Sequence, residues 1–194
     1  MILLRHTDYK RMPWKNGGGE TTEIAVSPPA SGLDDFDWRI SMALVKGDGP
    51  FSIFPGIDRT LSILEGNGMR LTIDGARVDL KLASAPLPFA ADVATDAVLV
   101  DGAITDLNVM SRRGAYRHQV QRFDLTGEMT ITCDATVVGV LSGEGTFDIT
   151  SPGKVPLGPR DSAFYDSPRS ITFAAAAPAQ GYLISLWKIN ELKA

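Results

Sequence analysis

Apolar and polar positions alternate along this chain in short runs and never settle into a sustained 3.6-residue period. Residues 38–45 (WRISMALV) show the alternation most cleanly. Trp38, Ile40, Met42 and Leu44 share one face of an extended strand, and Arg39, Ser41 and Ala43 share the other. The same reading predicts strands over residues 21–26, 38–45, 60–64, 69–73, 76–82 and 107–111. It continues over 119–125, 129–132, 136–141, 146–149, 170–173 and 182–189, with Gly, Pro, Asp or Asn at most boundaries. Asp74-Gly75 between two such runs predicts a type I′ hairpin, whose central residues both need positive φ. The pattern implies an all-β sandwich or barrel.

One segment has an echo. Leu64-x-Gly66-x-Gly68 returns as Leu141-x-Gly143-x-Gly145, at an offset of 77 (143 − 66 and 145 − 68). At that offset Leu61, Ile63, Val78 and Leu80 fall on Val138, Val140, Val155 and Leu157. Glycine turns recur in any β protein, but the agreement of the flanking apolar positions points to a duplicated strand–turn–strand–turn–strand unit.

The length of 194 residues suits one compact domain or two small fused ones. With 44% hydrophobic and 22% charged residues the chain is expected to be globular rather than disordered. Lys and Arg number 19 against 23 Asp and Glu, a net charge of −4, which excludes a general nucleic-acid binder. No apolar run approaches the ~18 residues of a membrane-spanning helix, and Met1–Leu4 lacks the basic leader of a signal peptide. The single cysteine, Cys133, excludes an internal disulfide framework and fits a cytoplasmic location. Histidine occurs only at His6 and His118, without an HxH or HExxH pair, so neither a metal centre nor a cofactor is expected. Acid–base chemistry would fall to carboxylates, tyrosine or one isolated histidine.

Three stretches carry candidate chemistry. The first is PWKNGGGE, from Pro13 to Glu20, where three glycines allow close backbone approach and an anion nest. Lys15 precedes the glycines, so this is not a Walker-type phosphate loop. A tight connection anchored by Trp14 is the alternative reading. The second is the polar face of residues 38–45, echoed at Glu23 and Ala25, at Thr60 and Ser62, and at Asn108, Met110 and Arg112. Such faces meet water in an open sandwich and line a ligand pocket in a small barrel. The third is the basic run Arg112, Arg113, Arg117 and Arg122, with no acid from residue 107 through 123. Arginine's planar fork suits a carboxylate, and an ion-paired strand edge is the alternative. Arg59, after the Pro55-Gly56 turn, either points into a cavity or pairs locally with Asp58. His118 reads as a surface residue and Cys133 as a core filler.

Together these stretches resemble the HutD/Ves family of small bacterial cupin-like proteins. The matching segments are PWKNGGGETTEI (13–24), FDWRIS (36–41), GPFSIFPGIDR (49–59), LEGNG (64–68) and DLNVMSRR (106–113). The second half matches mainly through Gly143-Glu144-Gly145 and Pro159-Arg160-Asp161. Phe89-Ala90-Ala91-Asp92 departs from the family's pattern, where a glycine precedes the Asp. The resemblance implies a bicupin, two small cupin-type β-barrels (double-stranded β-helices) fused in one compact unit. The N-terminal barrel would span roughly 1–115 and the C-terminal one roughly 116–194. Metal-binding cupins carry an HxH…E…H set that this chain lacks, so metal-free barrels are implied.

The resemblance further implies a sensor or governor of histidine catabolism that binds a carboxylate intermediate such as urocanate or formylglutamate, or a stress-associated relative of the Ves type. On that reading Arg59 is the main carboxylate partner. Arg39, Asn108 and Arg113 are lesser candidates, Asn16 and the glycine loop supply rim contacts, and Trp14 supplies an apolar wall. A metal-independent isomerase or lyase acting on a small acid is the competing expectation, with Glu23, or Tyr116 with His118, as acid or base. A barrel edge could also support a homodimer.

Overall fold

A computed structural model describes residues 1–151 and 153–189, and among them regular structure is almost wholly β, with a short 3-10 turn at His6–Asp8. The chain divides into two compact units: Lys10–Arg117, and a second made of Met1–Tyr9 with His118 onward. The first nine residues, expected with the N-terminal half, pack instead with the second unit. The reason is that β1 (Ile2–Leu4) pairs antiparallel with a late strand, Ile2 opposite Phe164 and Leu4 opposite Ser162. Asp161 locks the chain just beyond β1. It accepts from Arg5 Nη1 at 2.7 Å, from the His6 amide at 2.9 Å and from the Gly158 amide at 3.1 Å.

The Lys10–Arg117 unit holds ten strands: β2 (Lys10–Pro13), β3 (Gly19–Ser27), β4 (Trp38–Val45), β5 (Gly49–Pro50), β6 (Ile57–Glu65), β7 (Met69–Ile73), β8 (Ala76–Leu80), β9 (Leu87–Ala90), β10 (Thr95–Leu99) and β11 (Ile104–Arg112). They form a six-stranded sheet, β2-β3-β4-β11-β6-β9, and a four-stranded sheet, β5-β10-β7-β8. Ala43, Val45, Leu61, Ile63 and Ile104 of the larger sheet pack with Met69, Leu71, Leu80 and Ala97 of the smaller. That packing defines the inside. Because side chains alternate along a strand, Arg39 and Ser41 lie on the same inner face as Ala43 and Val45, and Arg59 on that of Leu61 and Ile63. Arg39 and Ser41 are buried, so this polar face is interior rather than the wet face of an open sandwich. Thr60 and Ser62, grouped with it on sequence, stand on the reverse face.

The Asp74-Gly75 turn joins β7 to β8 with φ of 47° and 81°, as the hairpin signal predicts. Gly68, at φ 95°, is irreplaceable for a second reason: a Cβ there would lie 2.3 Å from the Leu80 carbonyl oxygen.

The second unit adds β12 (Tyr116–Cys133), β13 (Val137–Ser142), β14 (Phe147–Ser151), β15 (Val155–Leu157), β16 (Ser162–Tyr165) and β17 (Arg169–Lys188). Strands β13, β14 and β15 repeat the order of β6, β7 and β8 at the 77-residue offset. Gly145, like Gly68, has positive φ. Two pairs of predicted strands merge. Residues 119–125 and 129–132 join through Gly127 into β12, and 170–173 and 182–189 join through exposed residues 176–178 into β17. Proline at 178 is tolerated where the strand is exposed. The interior is apolar: Phe123, Phe147 and Phe173 have ring centroids 5.2–5.8 Å apart. Cys133 is buried, its sulfur 3.1 Å from the Ser185 hydroxyl, as a core filler should be.

Candidate functional site

Strands β4, β11 and β6 lie side by side, and their pairing stacks the inner-face residues in rows. Met110 stands between Arg39 and Arg59, Asn108 between Ser41 and Leu61, and Asp106 between Ala43 and Ile63. The alternation thus turns two arginines inward at one end of these strands and an amide in the middle, while the Asp106 carboxyl stands two rows from Arg59, between Ala43 and Ile63 at the apolar end.

Arg59 is 3% exposed. Its guanidinium carbon lies 5.2, 5.3 and 5.8 Å from the ring centroids of Phe51, Phe54 and Phe89, and Nη2 is 3.5 Å from the Met110 sulfur. Such rings attract a cation but do not consume its directional donors, and Nε has no hydrogen-bond partner among the described residues. Burial pulls the Arg59 pKa down to about 10, against the pull of Asp106. It stays charged near neutrality.

Asp106 is 1% exposed, and its Oδ1 is likewise without a partner. Burial raises its pKa to about 7, although Arg59 and a backbone hydrogen bond at Ala43 pull the other way. Asn108, half-buried one row along, has an unsatisfied Oδ1. Buried polar atoms are nearly always satisfied; of the five described side-chain atoms that are not, those of Arg59, Asp106 and Asn108 share this inner face, and Trp38 Nε1 and Ser62 Oγ belong to the reverse face. Arg39 differs: its Nε donates to Glu23 Oε2 at 2.9 Å. Both partners are largely buried, so Arg39 and Glu23 balance each other, leaving Arg59 with Asp106.

Trp14 packs against the core that these sheets share, and its indole N–H donates to the Thr21 hydroxyl at 2.8 Å. Gly19 explains the third glycine of the loop. A Cβ there would lie 2.3 Å from the Leu44 carbonyl oxygen and 3.0 Å from the Trp14 ring. The stretch is therefore a tight connection that seats Trp14.

Two expected site residues are not brought to this group. Asn16 is exposed, and its Oδ1 accepts from the Gly18 amide at 3.0 Å, closing the turn. Arg113 lies just past β11 and is clamped outside by Asp58 and Asp92, at 2.7 Å each. The basic run as a whole disperses. Arg112 donates to the carbonyls of Phe36 and Asp34, while Arg122 sits 3.5 Å from Asp124. Asp58 thus pairs with Arg113, which frees Arg59 to turn inward. Of the acid–base alternatives, Glu23 is held by Arg39, while Tyr116 and His118 open β12, a strand that pairs with β17. Sequence reasoning missed Asp106 as a site residue. Its signals were its place at the head of the DLNVMSRR segment and a spacing of two from Asn108. Among the described residues there is no cluster of three or more His, Cys, Asp or Glu suited to a metal ion, and no helix long and apolar enough to cross a membrane.

The HutD family model matches residues 6–183. The chain belongs to the HutD family. This HutD-family chain is 37% identical over 152 residues to an uncharacterized 21.2 kDa protein in the hutC 3′ region of Pseudomonas putida, covering 78% of each. It is 38% identical over 144 residues to protein Ves of Citrobacter koseri, covering 72% of this chain and 74% of that one. The structure of HutD from Pseudomonas fluorescens SBW25 (formate condition) superposes with a TM-score of 0.83 at 31% identity, over 96% of this chain and 98% of the other. Family membership ties the chain to a histidine-utilisation-associated group with a cupin-like fold. The fold likeness extends, at 10% identity and a TM-score of 0.70, to a bacterial pirin of Escherichia coli, over 95% and 97% of the two chains.

Proposed function

We propose that this HutD-family protein is a metal-independent small-molecule-binding protein, a sensor or governor of histidine catabolism, and that its Lys10–Arg117 unit holds a small carboxylate such as urocanate or formylglutamate. The observation that carries this reading is Arg59: a charged, buried guanidinium with an unsatisfied Nε, walled by three phenylalanines. A carboxylate accepts in the plane of a guanidinium and neutralises it, and the phenyl walls suit the apolar body of a planar or short-chain acid. Asn108 Oδ1 is free to accept from an N–H or O–H of the ligand. Arg39, held by Glu23, positions the positive side of the pocket, and Trp14 supports its wall. We also propose that both units are cupin-type barrels. The repeated strand order at the 77-residue offset supports this. On that reading the second barrel, filled by its phenylalanine trio, is structural.

A thermal-shift titration against urocanate, formylglutamate, formiminoglutamate and histidine tests the reading. Ligand at 100 times its Kd stabilises by about 2.7 kcal/mol, a rise of roughly 5–11 °C for a chain of this size. A saturable rise with one acid, absent in Arg59→Met, is expected. No rise with any of them overturns the carboxylate reading.

A second reading has one observation in its favour. Asp106 is buried, without a partner at Oδ1 and poised near neutrality, as a general acid or base would be. Turnover of one of these acids by the purified protein, lost in Asp106→Asn, would establish an enzyme.

A further inference from the structure

We propose that Asp106 is the specificity-determining residue of the Arg59 site: it is the built-in counter-anion of Arg59, and an entering carboxylate replaces it in that role while Asp106 takes up one proton and becomes a neutral donor to the ligand. The inference rests on the carboxylate reading above and deepens it.

Charge balance in a buried space is the starting point. Among the described residues the charged groups on the inner face are Arg59 on β6, Arg39 on β4, Glu23 on β3 and Asp106 on β11, with Arg112 at the end of β11 held by the carbonyls of Phe36 and Asp34. The smaller sheet faces them with Met69, Leu71, Leu80 and Ala97. At the margins, Lys10 is exposed opposite Glu23 at the β2 edge, and Glu65 is exposed at the end of β6, accepting from the Thr105 hydroxyl. Arg39 is satisfied by Glu23. The remaining pair, Arg59 and an ionised Asp106, is already neutral. A ligand carboxylate adds one negative charge to a site from which water is largely excluded, and an uncompensated buried charge is costly. The least costly remedy is a proton.

Asp106 is the group placed to take it. No His or Cys occurs anywhere from residue 10 to 117, and the only Tyr there is Tyr116, on β12. The orphan Oδ1 supplies the geometry: it is buried without a partner on the face that also carries Arg59, and with a proton it becomes an O–H donor there. Its near-neutral pKa keeps that proton within reach under ordinary conditions. The proton comes from solvent and resides on a carboxyl oxygen; no other bond is made or broken. The site therefore selects a carboxylate whose bound oxygens can accept both from Arg59 and from a neutral acid. It discriminates increasingly against anions as the medium becomes basic.

The test is calorimetry of formylglutamate binding to the full chain at pH 5.5, 7 and 8.5, each in two buffers of different ionisation enthalpy. Formylglutamate has no group that titrates across this range. Binding is expected to take up close to one proton at pH 8.5 and almost none at pH 5.5, with Kd weakening up to about tenfold per pH unit above 7. In Asp106→Asn, which keeps the shape and mimics the neutral acid, Kd is expected to be flat with pH and tighter than the native value at pH 8.5. Binding without proton uptake, or a pH slope retained in Asp106→Asn, overturns the proposal and leaves the carboxylate reading standing. Absence of binding by both formylglutamate and urocanate overturns both. Should the variant fail to fold, proton uptake by the native protein decides alone.

Discussion

Arg59 and Asp106 lie on neighbouring strands of one inner face, opposite in charge, and each keeps a buried polar atom that nothing in the described protein satisfies. They are two rows apart in the register, Asp106 opposite Ile63 and Arg59 opposite Met110, so they influence each other electrostatically without a direct hydrogen bond. Here the guanidinium is held instead among Phe51, Phe54, Phe89 and the Met110 sulfur. The pair keeps its electrostatic attraction while its directional valences stay available. Arg39 and Glu23, one strand over, show the contrasting case of a closed pair.

Arg59→Lys is expected to weaken carboxylate binding about tenfold or more, despite keeping the charge. Lysine lacks the planar fork, and its compact ammonium loses more on burial than a guanidinium does. A charge-assisted hydrogen bond is worth about 1.5–3 kcal/mol. Calorimetric Kd values for the native and Lys proteins at one pH check this; equal affinity would remove Arg59 from the site.

Ligand-free stability is expected to fall between about pH 4 and pH 7 through Asp106. Its folded pKa is raised, so its contribution is fully present below the unfolded value of about 3.9 and is lost as pH rises through about 7. A tenfold change in a proton-binding equilibrium corresponds to roughly 1.4 kcal/mol. Melting curves at pH 5 and pH 8 should show the native protein losing stability relative to Asp106→Asn at the higher pH. A constant difference between the two would contradict the assignment.

Asp161 acts in the opposite direction. Burial alone would raise its pKa, but the His6 amide, Arg5 and the Gly158 amide outweigh it and hold the carboxyl below its usual range. Its contribution is present above about pH 3.9 and is lost as pH falls. Asp161→Asn is expected to cost about 1–3 kcal/mol and to expose the β1 segment to proteolysis at neutral pH. Limited digestion of the two proteins measures this directly.

Gly68→Ala and Gly75→Ala are expected to differ although both replace glycines of positive φ, 95° and 81°. Around Gly75 a Cβ meets open space, so that change costs roughly 1–2 kcal/mol from the backbone alone. At Gly68 the Cβ would also strike the Leu80 carbonyl oxygen, and the strand pair must shift. Chemical denaturation should rank Gly68→Ala well below Gly75→Ala.

The all-β class, the extent of β4 and β7, the Asp74-Gly75 hairpin, the 77-residue echo and the family are all legible in the amino-acid order. These are local properties: side-chain period, turn chemistry and motif order act over a few residues and leave the same trace in any context. Arg39 and Asn108 are marked there too, because alternation alone puts each on a definite face of its strand, and Arg59 is marked by its place after the Pro55-Gly56 turn and by the family resemblance. Which face is inside is a matter of tertiary packing. So is the pairing of Asp58 with Arg113 rather than with Arg59, the closing of a turn by Asn16, and the packing of β1 with the second unit. The fold also turns Asp106 from one acid among 23 acidic residues into a buried carboxyl on the same inner face as a buried arginine. Burial and ion pairing depend on strands distant in the chain, and an acid's charge state follows from what surrounds it rather than from its neighbours in sequence.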